Sequence, residues 1–292
     1  MTKYCLICIW LFGGYTINAQ SILADEDSTF NTFYPNDTIL CLEKAILFSK
    51  NLENKNNHLF ILSEFYAKKK DHENAFRSLQ KISPIILSDS AKKIYFYNIC
   101  LQAYLSKKFA EVEGFALDYY SLSKDSKDKF YFEVTILYGF ALNELNRWMD
   151  AHDIFIVHPI TNDTLNYIKR INNIYDYKKQ PHLKSSEKMN KIVNAIPAGP
   201  YFYTKNYKEG SINLALQLSG IGAGAYYVFG AHQYLTAAVL VYMISARFYL
   251  AAINKGDFLI NKYNYKKQFK YNEYLRKEIK KVYKKSDSSG YR

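Results

Sequence analysis

The side chains with which this chain of 292 residues could do chemistry are few and scattered. Its six histidines stand at 58, 72, 152, 158, 182 and 232, and none of their spacings is that of a zinc site. His152 and His158 come nearest, six apart with Pro159 following. Glu111 and Glu113 lie on different faces of a helix and read as solvated carboxylates. No Gly-rich phosphate loop, nucleophile elbow or zinc signature occurs. The residues therefore mark no catalytic centre, cofactor, metal site or small-molecule substrate. What remains is one polar pair, Gln217 and Arg247, set among apolar residues. In an antiparallel helix pair the two fall level, which allows two readings. They line a polar path for a solute, or Arg247 snorkels to an interface only about 9 Å further along the axis, near Ile253.

The elements that carry this pair organise the chain. Ser211 to Ile253 holds two apolar runs around the break Gly230-Ala231-His232-Gln233. Ile212 to Phe229 is 18 residues without charge, and Tyr234 to Ile253 is 20 residues with Arg247 as the only charge. At about 1.5 Å per residue they reach roughly 27 and 30 Å, the thickness of a hydrocarbon core. Both are expected to span a membrane as a hairpin over 211–253. Tyrosines group at both ends: Tyr201, Tyr203 and Tyr207 before the first run, Tyr226, Tyr227 and Tyr234 at the turn, and Tyr249, Tyr263 and Tyr265 beyond, as headgroup depth favours. Small residues recur at helical spacing. Ala215 and Ser219 belong to a four-residue series beside Gly220-x-x-x-Gly224, and Ala238, Ser245 and Ala252 stand seven apart. Such side chains let helix backbones approach closely.

Apolar residues make up 49% of the chain, enough for a sizeable core, and the net charge is +12. The charge is uneven. Residues 255–292 hold twelve Lys or Arg against four acids, a net +8 and two thirds of the excess. A basic tail (254–292) beside apolar spans points to anionic lipid headgroups rather than nucleic acid. Its stripe Phe269, Leu275, Ile279 and Val282 suits a helix lying along headgroups or one solvated on its charged side.

Residues 1–19 read as a secretory signal, with Lys3, an apolar stretch from Cys5 to Phe12, and cleavage after Ala19. Removal leaves Cys41 and Cys100, either as core residues or as a bridge. Residues 20–35 form a flexible lead-in. From 36 to 179 only helical patterns occur. Leu59, Leu62, Tyr66, Ala75, Leu79 and Ile82 sit at offsets 0, 3, 7, 16, 20 and 23, with Asp71 between two helices. Phe109, Val112 and Ala116 repeat the register, as do Gly139, Leu142, Trp148, Ala151 and Phe155. These offsets resemble the 34-residue tetratricopeptide helix-turn-helix over roughly residues 57–160. The resemblance implies an α-solenoid whose concave face binds a protein or peptide. Thr161 to Lys179, with Asp163 as a cap, is expected to close the array.

Residues 180–210 read as a linker and membrane-approach motif. Pro197, Gly199, Pro200, Tyr203 and Gly210 resemble a segment of Bacteroidetes cell-envelope proteins, in which tetratricopeptide-like repeats precede a two-helix membrane segment introduced by Pro-Gly-x-Gly-x-x-Tyr. Ala198 and Pro200 replace both motif glycines. A positive φ is disfavoured for the first and forbidden for the second, so the prolines are expected only to stop the preceding helix. The expected protein is all-α: a tetratricopeptide-like solenoid, a two-helix transmembrane hairpin and a basic helical tail. As a non-enzymatic scaffold of a bacterial envelope membrane it would recruit a protein partner. As a subunit of a transport or assembly complex it would pack its hairpin against partner helices. A signal puts the repeats in the periplasm and two spans return the tail to that side, whereas the positive-inside rule keeps a basic tail in the cytoplasm.

Overall fold

The computed structural model describes residues 37–123, 128, 130–159, 164–191 and 193–290. The expected signal (1–19), the lead-in (20–35) and the cap Asp163 lie outside them. Among the described residues the chain is all-helical, with thirteen helices and no strand. It divides into two compact units, the first ending at Leu145 and the second beginning at Asn146.

The first unit contains α1 (Asp37–Phe48), α2 (Leu52–Lys68), α3 (His72–Gln80), α4 (Asp89–Leu105), α5 (Phe109–Leu122) and α6 (Tyr131–Glu144), each packed on the next. The starts of α2 and α3 follow from short polar side chains that accept orphan N–H groups. Asn51 caps α2 through the Glu53 N–H (2.9 Å), and Asp71 caps α3 through the Asn74 N–H (3.2 Å). The positions that repeat in the sequence form the interior: Leu59, Ala75, Leu79, Val112, Ala116 and Leu142 are all buried.

One turn recurs at the junctions. Lys70 ends α2 at φ 62°, in the left-handed region, while the N–H groups of Lys70 and Asp71 donate to the Ala67 and Tyr66 carbonyls (2.9 Å each). Lys107 and Lys108 do the same after α4, with φ 66° at Lys107 and bonds of 3.1 and 2.8 Å to Tyr104 and Ala103. This is the Schellman pattern without its usual glycine, at a cost of about 1 kcal/mol or more for each Cβ. The tight reversal brings the fourth residue of the next helix onto the one before, so Ala75 and Val112 there are small and fully buried.

Polar ties lock the helices. His72 Nδ1 pairs with Gln102 Oε1 (2.9 Å), and Asn56 bonds both the N–H and the carbonyl of Ser83 (3.1 and 2.9 Å). Glu111 and Glu113 do more than meet water: they accept from Gln80 Nε2 (2.9 Å) and the Tyr138 hydroxyl (3.0 Å). Cys41 is exposed and Cys100 buried, and both are free, so the bridge reading is overturned. Burial, with a smaller push from Asp118, raises the Cys100 thiol far above its ordinary range.

The second unit contains α7 (Trp148–Val157), α8 (Thr164–Ile174), α9 (Ser186–Lys191), α10 (Gly199–Tyr203), α11 (Tyr207–Phe229), α12 (Tyr234–Asn254) and α13 (Gly256–Gly290). Asn146 opens it at φ 61°, and Ala151, the fourth residue of α7, is again fully buried. The turn appears once more between α10 and α11, with φ 61° at Lys205 and bonds from Lys205 and Asn206 to Phe202 (3.1 Å) and Tyr201 (2.8 Å). Gly210 takes the small position, since a Cβ there would lie 3.0 Å from Tyr201 Cβ. The segment that leads into the apolar helices is thus built on the junction used between α2 and α3 and between α4 and α5.

Asp128 ties three elements of the first unit together electrostatically. It receives Lys93 Nζ (2.5 Å), the Tyr119 hydroxyl (2.5 Å) and the Phe130 N–H (3.2 Å). Burial pushes its carboxyl up, but the bonds from Lys93, Tyr119 and Phe130 outweigh that and leave it below its ordinary range. A carboxyl depressed by folding stabilises the protein above its unfolded pKa of about 3.9, and the contribution disappears as pH falls through the folded value. Asp128→Asn is expected to cost about 1–2 kcal/mol at neutral pH. In thermal melts the gap from the parent protein should close below about pH 4.

Candidate membrane-facing helix pair

The approach to the pair is ordered by residues far along the chain. Asn264 on α13 holds the Lys184 backbone from both sides, accepting its N–H at 2.8 Å and donating to its carbonyl at 3.0 Å. The Tyr203 hydroxyl accepts the Ser185 N–H at 3.2 Å, and Lys184 Nζ lies 4.4 Å from the Tyr203 ring centre. Ala198, expected to avoid positive φ, adopts φ 53° and ψ 15°. Its strain, about 1–2 kcal/mol, is held by complete burial in a cluster with Tyr201, Ala252 and Leu259. Gly199 is needed for space, because a Cβ would run into the Val193 carbonyl oxygen. Pro200 does not stop a helix. It occupies the first turn of α10, where its missing N–H costs nothing, with Pro197 exposed just before.

α11 and α12 pack along a seam of small and polar residues. On α11 the buried positions are Gly210, Asn213, Gln217, Gly220 and Gly224, spaced alternately three and four apart. A Cβ at Gly220 would meet Ile244 Cβ at 2.8 Å and the Ser245 nitrogen at 2.9 Å, and one at Gly224 would collide with Val241 Cγ2. Three hydrogen bonds complete the seam. Ser245 Oγ donates to the Gln217 carbonyl (2.6 Å), Gln217 Nε2 to Asn213 Oδ1 (2.6 Å), and Asn213 Nδ2 to the Phe248 carbonyl (3.2 Å). Contacts run 213 to 248, 217 to 245 and 224 to 241, so the two helices point in opposite directions.

The sequence-derived site residues separate into two sets. Gly220, Gly224, Ser245 and Ala252 are buried, whereas Ala215, Ser219 and Ala238 face outward. The buried partner near the turn is Ala237, not Ala238, because residues Val241–Ala246 form a π-helical turn. That turn inserts one residue into the seven-residue spacing and rotates the seam. Gln217 and Arg247 do not meet: Gln217 is buried on Asn213, and Arg247 is exposed. Asn213 was missed in the sequence, although the three-and-four spacing of α11 contains it.

Among the described residues one helix, Tyr234–Asn254, is long and apolar enough to cross a membrane. α11 does not reach that composition, since Asn213, Gln217, Ser219 and its glycines dilute it. Only 17% of the apolar window of α12 is buried. Leu235 (81% exposed), Val239, Tyr242, Met243 and Leu250 project from it, and Ile212, Leu218, Ile221 and Phe229 from α11. Tyr226 and Tyr234 are exposed at the turn, but at the other end Tyr201 is buried and the Tyr249 hydroxyl donates to the Asn194 carbonyl (2.7 Å).

The tail is helical, and most of its apolar stripe is internal. Leu275, Ile279 and Val282 are buried, α13 packs on α8, and Trp148 Nε1 donates to Asn272 Oδ1 (2.9 Å). Phe269 alone of the stripe is exposed. Elsewhere in this unit His152 Nε2 pairs with Asn172 Oδ1 (2.7 Å). No three His, Cys, Asp or Glu converge as metal ligands among the described residues.

No protein-family model matches the chain, and no curated protein or solved structure is significantly similar to it.

The seam gives a matched pair of substitutions. Gly222 has open space around a Cβ, whereas Gly220 faces the Ser245 backbone. Gly222→Ala should leave stability unchanged or raise it by up to about 1 kcal/mol through helix propensity. Gly220→Ala should lower it by about 1–3 kcal/mol through overpacking. Thermal unfolding of both variants in detergent checks the difference.

Proposed function

We propose that the chain is a non-enzymatic scaffold held in a bacterial envelope membrane by α11 and α12, its repeat helices recruiting a protein partner. The carrying observation is α12: a helix of spanning length in whose apolar window only 17% of the residues are buried. A core helix of a soluble protein is mostly buried, and exposed apolar surface of this extent marks a membrane or protein contact. The second helix of the hairpin is α11, whose buried polar residues Asn213 and Gln217 are satisfied inside the pair by Ser245, Phe248 and each other. Its lipid-facing side is then Ile212, Leu218, Ile221 and Phe229.

Lysines at Val239 and Met243, both more than half exposed, test the reading. Near the centre of a span each charge costs about 3 kcal/mol. The parent chain should stay with carbonate-washed membranes and need detergent for extraction, and the double variant should be released. A parent chain that is soluble and monomeric without detergent overturns the proposal. Asn57→Cys, in a chain whose Cys41 is replaced by Ser, should react with an impermeant maleimide from the periplasmic side. Labelling only after cytoplasmic access reverses the orientation.

A complex subunit is the second reading, favoured by an apolar groove of about 580 Å³ between the outer faces of the helices. Ile221, Ala225, Ala237, Ala238, Val241 and Ala246 are among its lining residues, small enough for another helix to approach. Ala238→Leu fills it without touching the seam. A simple anchor is indifferent to that change, whereas a subunit loses its larger species in native electrophoresis.

A further inference from the structure

We infer that the first half of α13 is an anionic-phospholipid headgroup site, with Phe258, Tyr265 and Phe269 as its interfacial rings and Lys262, Lys266 and Lys270 as its phosphate ligands. The inference rests on the membrane reading of α12 and goes beyond it in naming the lipid class and the residues.

Phe258, Tyr265 and Phe269 are seven and four residues apart, which places them on one line along the helix. They are 63%, 69% and 41% exposed, although large aromatic side chains usually belong inside. The Tyr265 and Phe269 rings stack at 6.3 Å, so the stripe is continuous at that end. Lys262, Lys266 and Lys270 follow at four-residue steps beside the stripe, and all are exposed. Lys262 Nζ lies 5.9 Å from the Phe258 ring centre. From Phe258 to Asn272 there is no acidic residue and there are four lysines. The opposite face of this helix is occupied internally by Ile260, Tyr271 and Leu275, so the aromatic and basic face is the one left over.

Position selects the occupant. α12 ends at Asn254 and α13 begins at Gly256, with Lys255 alone between them. The rings therefore start within about one helical turn of the point where α12 would leave the hydrocarbon core. Aromatic rings suit headgroup depth, and lysines near an anionic surface each add attraction that salt weakens.

The test places a reporter at Tyr265. Full-length Tyr265→Trp protein is reconstituted into vesicles of phosphatidylcholine alone or with phosphatidylglycerol, each doped with a nitroxide-headgroup lipid, and the parent signal is subtracted. The proposal expects quenching and a blue shift in the phosphatidylglycerol vesicles. Both should be lost in phosphatidylcholine alone and in the background of Lys262→Gln, Lys266→Gln and Lys270→Gln. Equal quenching in the two lipids, or none while the protein floats with the vesicles, overturns the headgroup site and leaves the anchor standing. Flotation only with phosphatidylglycerol supports the site and removes the anchor. Failure to float with either vesicle overturns both, and a shift produced by nucleic acid but not by phosphatidylglycerol reassigns the lysines.

Discussion

Close approach of two helix backbones governs the second unit. Where Gly220 faces Ser245 and Gly224 faces Val241, α11 contributes no side chain, and the side chains of Ser245, Ile244 and Val241 on α12 pack directly on its backbone. That proximity lets a serine hydroxyl reach a main-chain carbonyl on the facing helix, and lets Asn213 reach another. Such bonds contribute about 0.6 kcal/mol each in an apolar medium, so packing carries most of the association. Their larger effect is on specificity. Asn213 Nδ2 reaches the Phe248 carbonyl only in this register, and rotating either helix would strand it in apolar surroundings.

The same logic accounts for what covers the base of the pair. α10 is only five residues long, yet Ala198 and Tyr201 bury against Ala252 and Leu259. Met189, Val193 and Ile260 form a second cluster beside it. A stretch that reads as a linker is fixed by aromatic rings and by the two-sided grip of Asn264 on Lys184.

Legibility followed the range of the interaction. The helices of the first unit and the burial of Leu59, Ala75 and Leu79 could be read because local periodicity encodes them. The fate of Leu275 and Ile279 could not, because a stripe of that spacing suits a membrane surface and a protein surface equally. What decides it includes Trp148, bonded to a residue 124 positions away. The left-handed Ala198 was missed for a related reason: intrinsic preference disfavours it, and tertiary burial overrides the preference. The junction at Lys205 escaped the repeat pattern because it lies 59 residues after Asn146, against steps of 37 and 39 before. On the helix pair, the glycine spacing was visible, while the π turn that moves the seam from position 238 to 237 leaves no mark in composition.

That turn has a consequence for what the helix shows to its surroundings. One additional residue corresponds to a rotation of about 100° about the axis, so the portions of α12 before and after Val241–Ala246 are out of phase. A line of side chains in the half toward Tyr234 therefore continues one residue later in the half toward Asn254, and Ala237 and Ser245, eight apart rather than seven, both face α11. One continuous helix thereby keeps a single edge against its neighbour, the extra residue being taken up where a regular spacing would have turned that edge away.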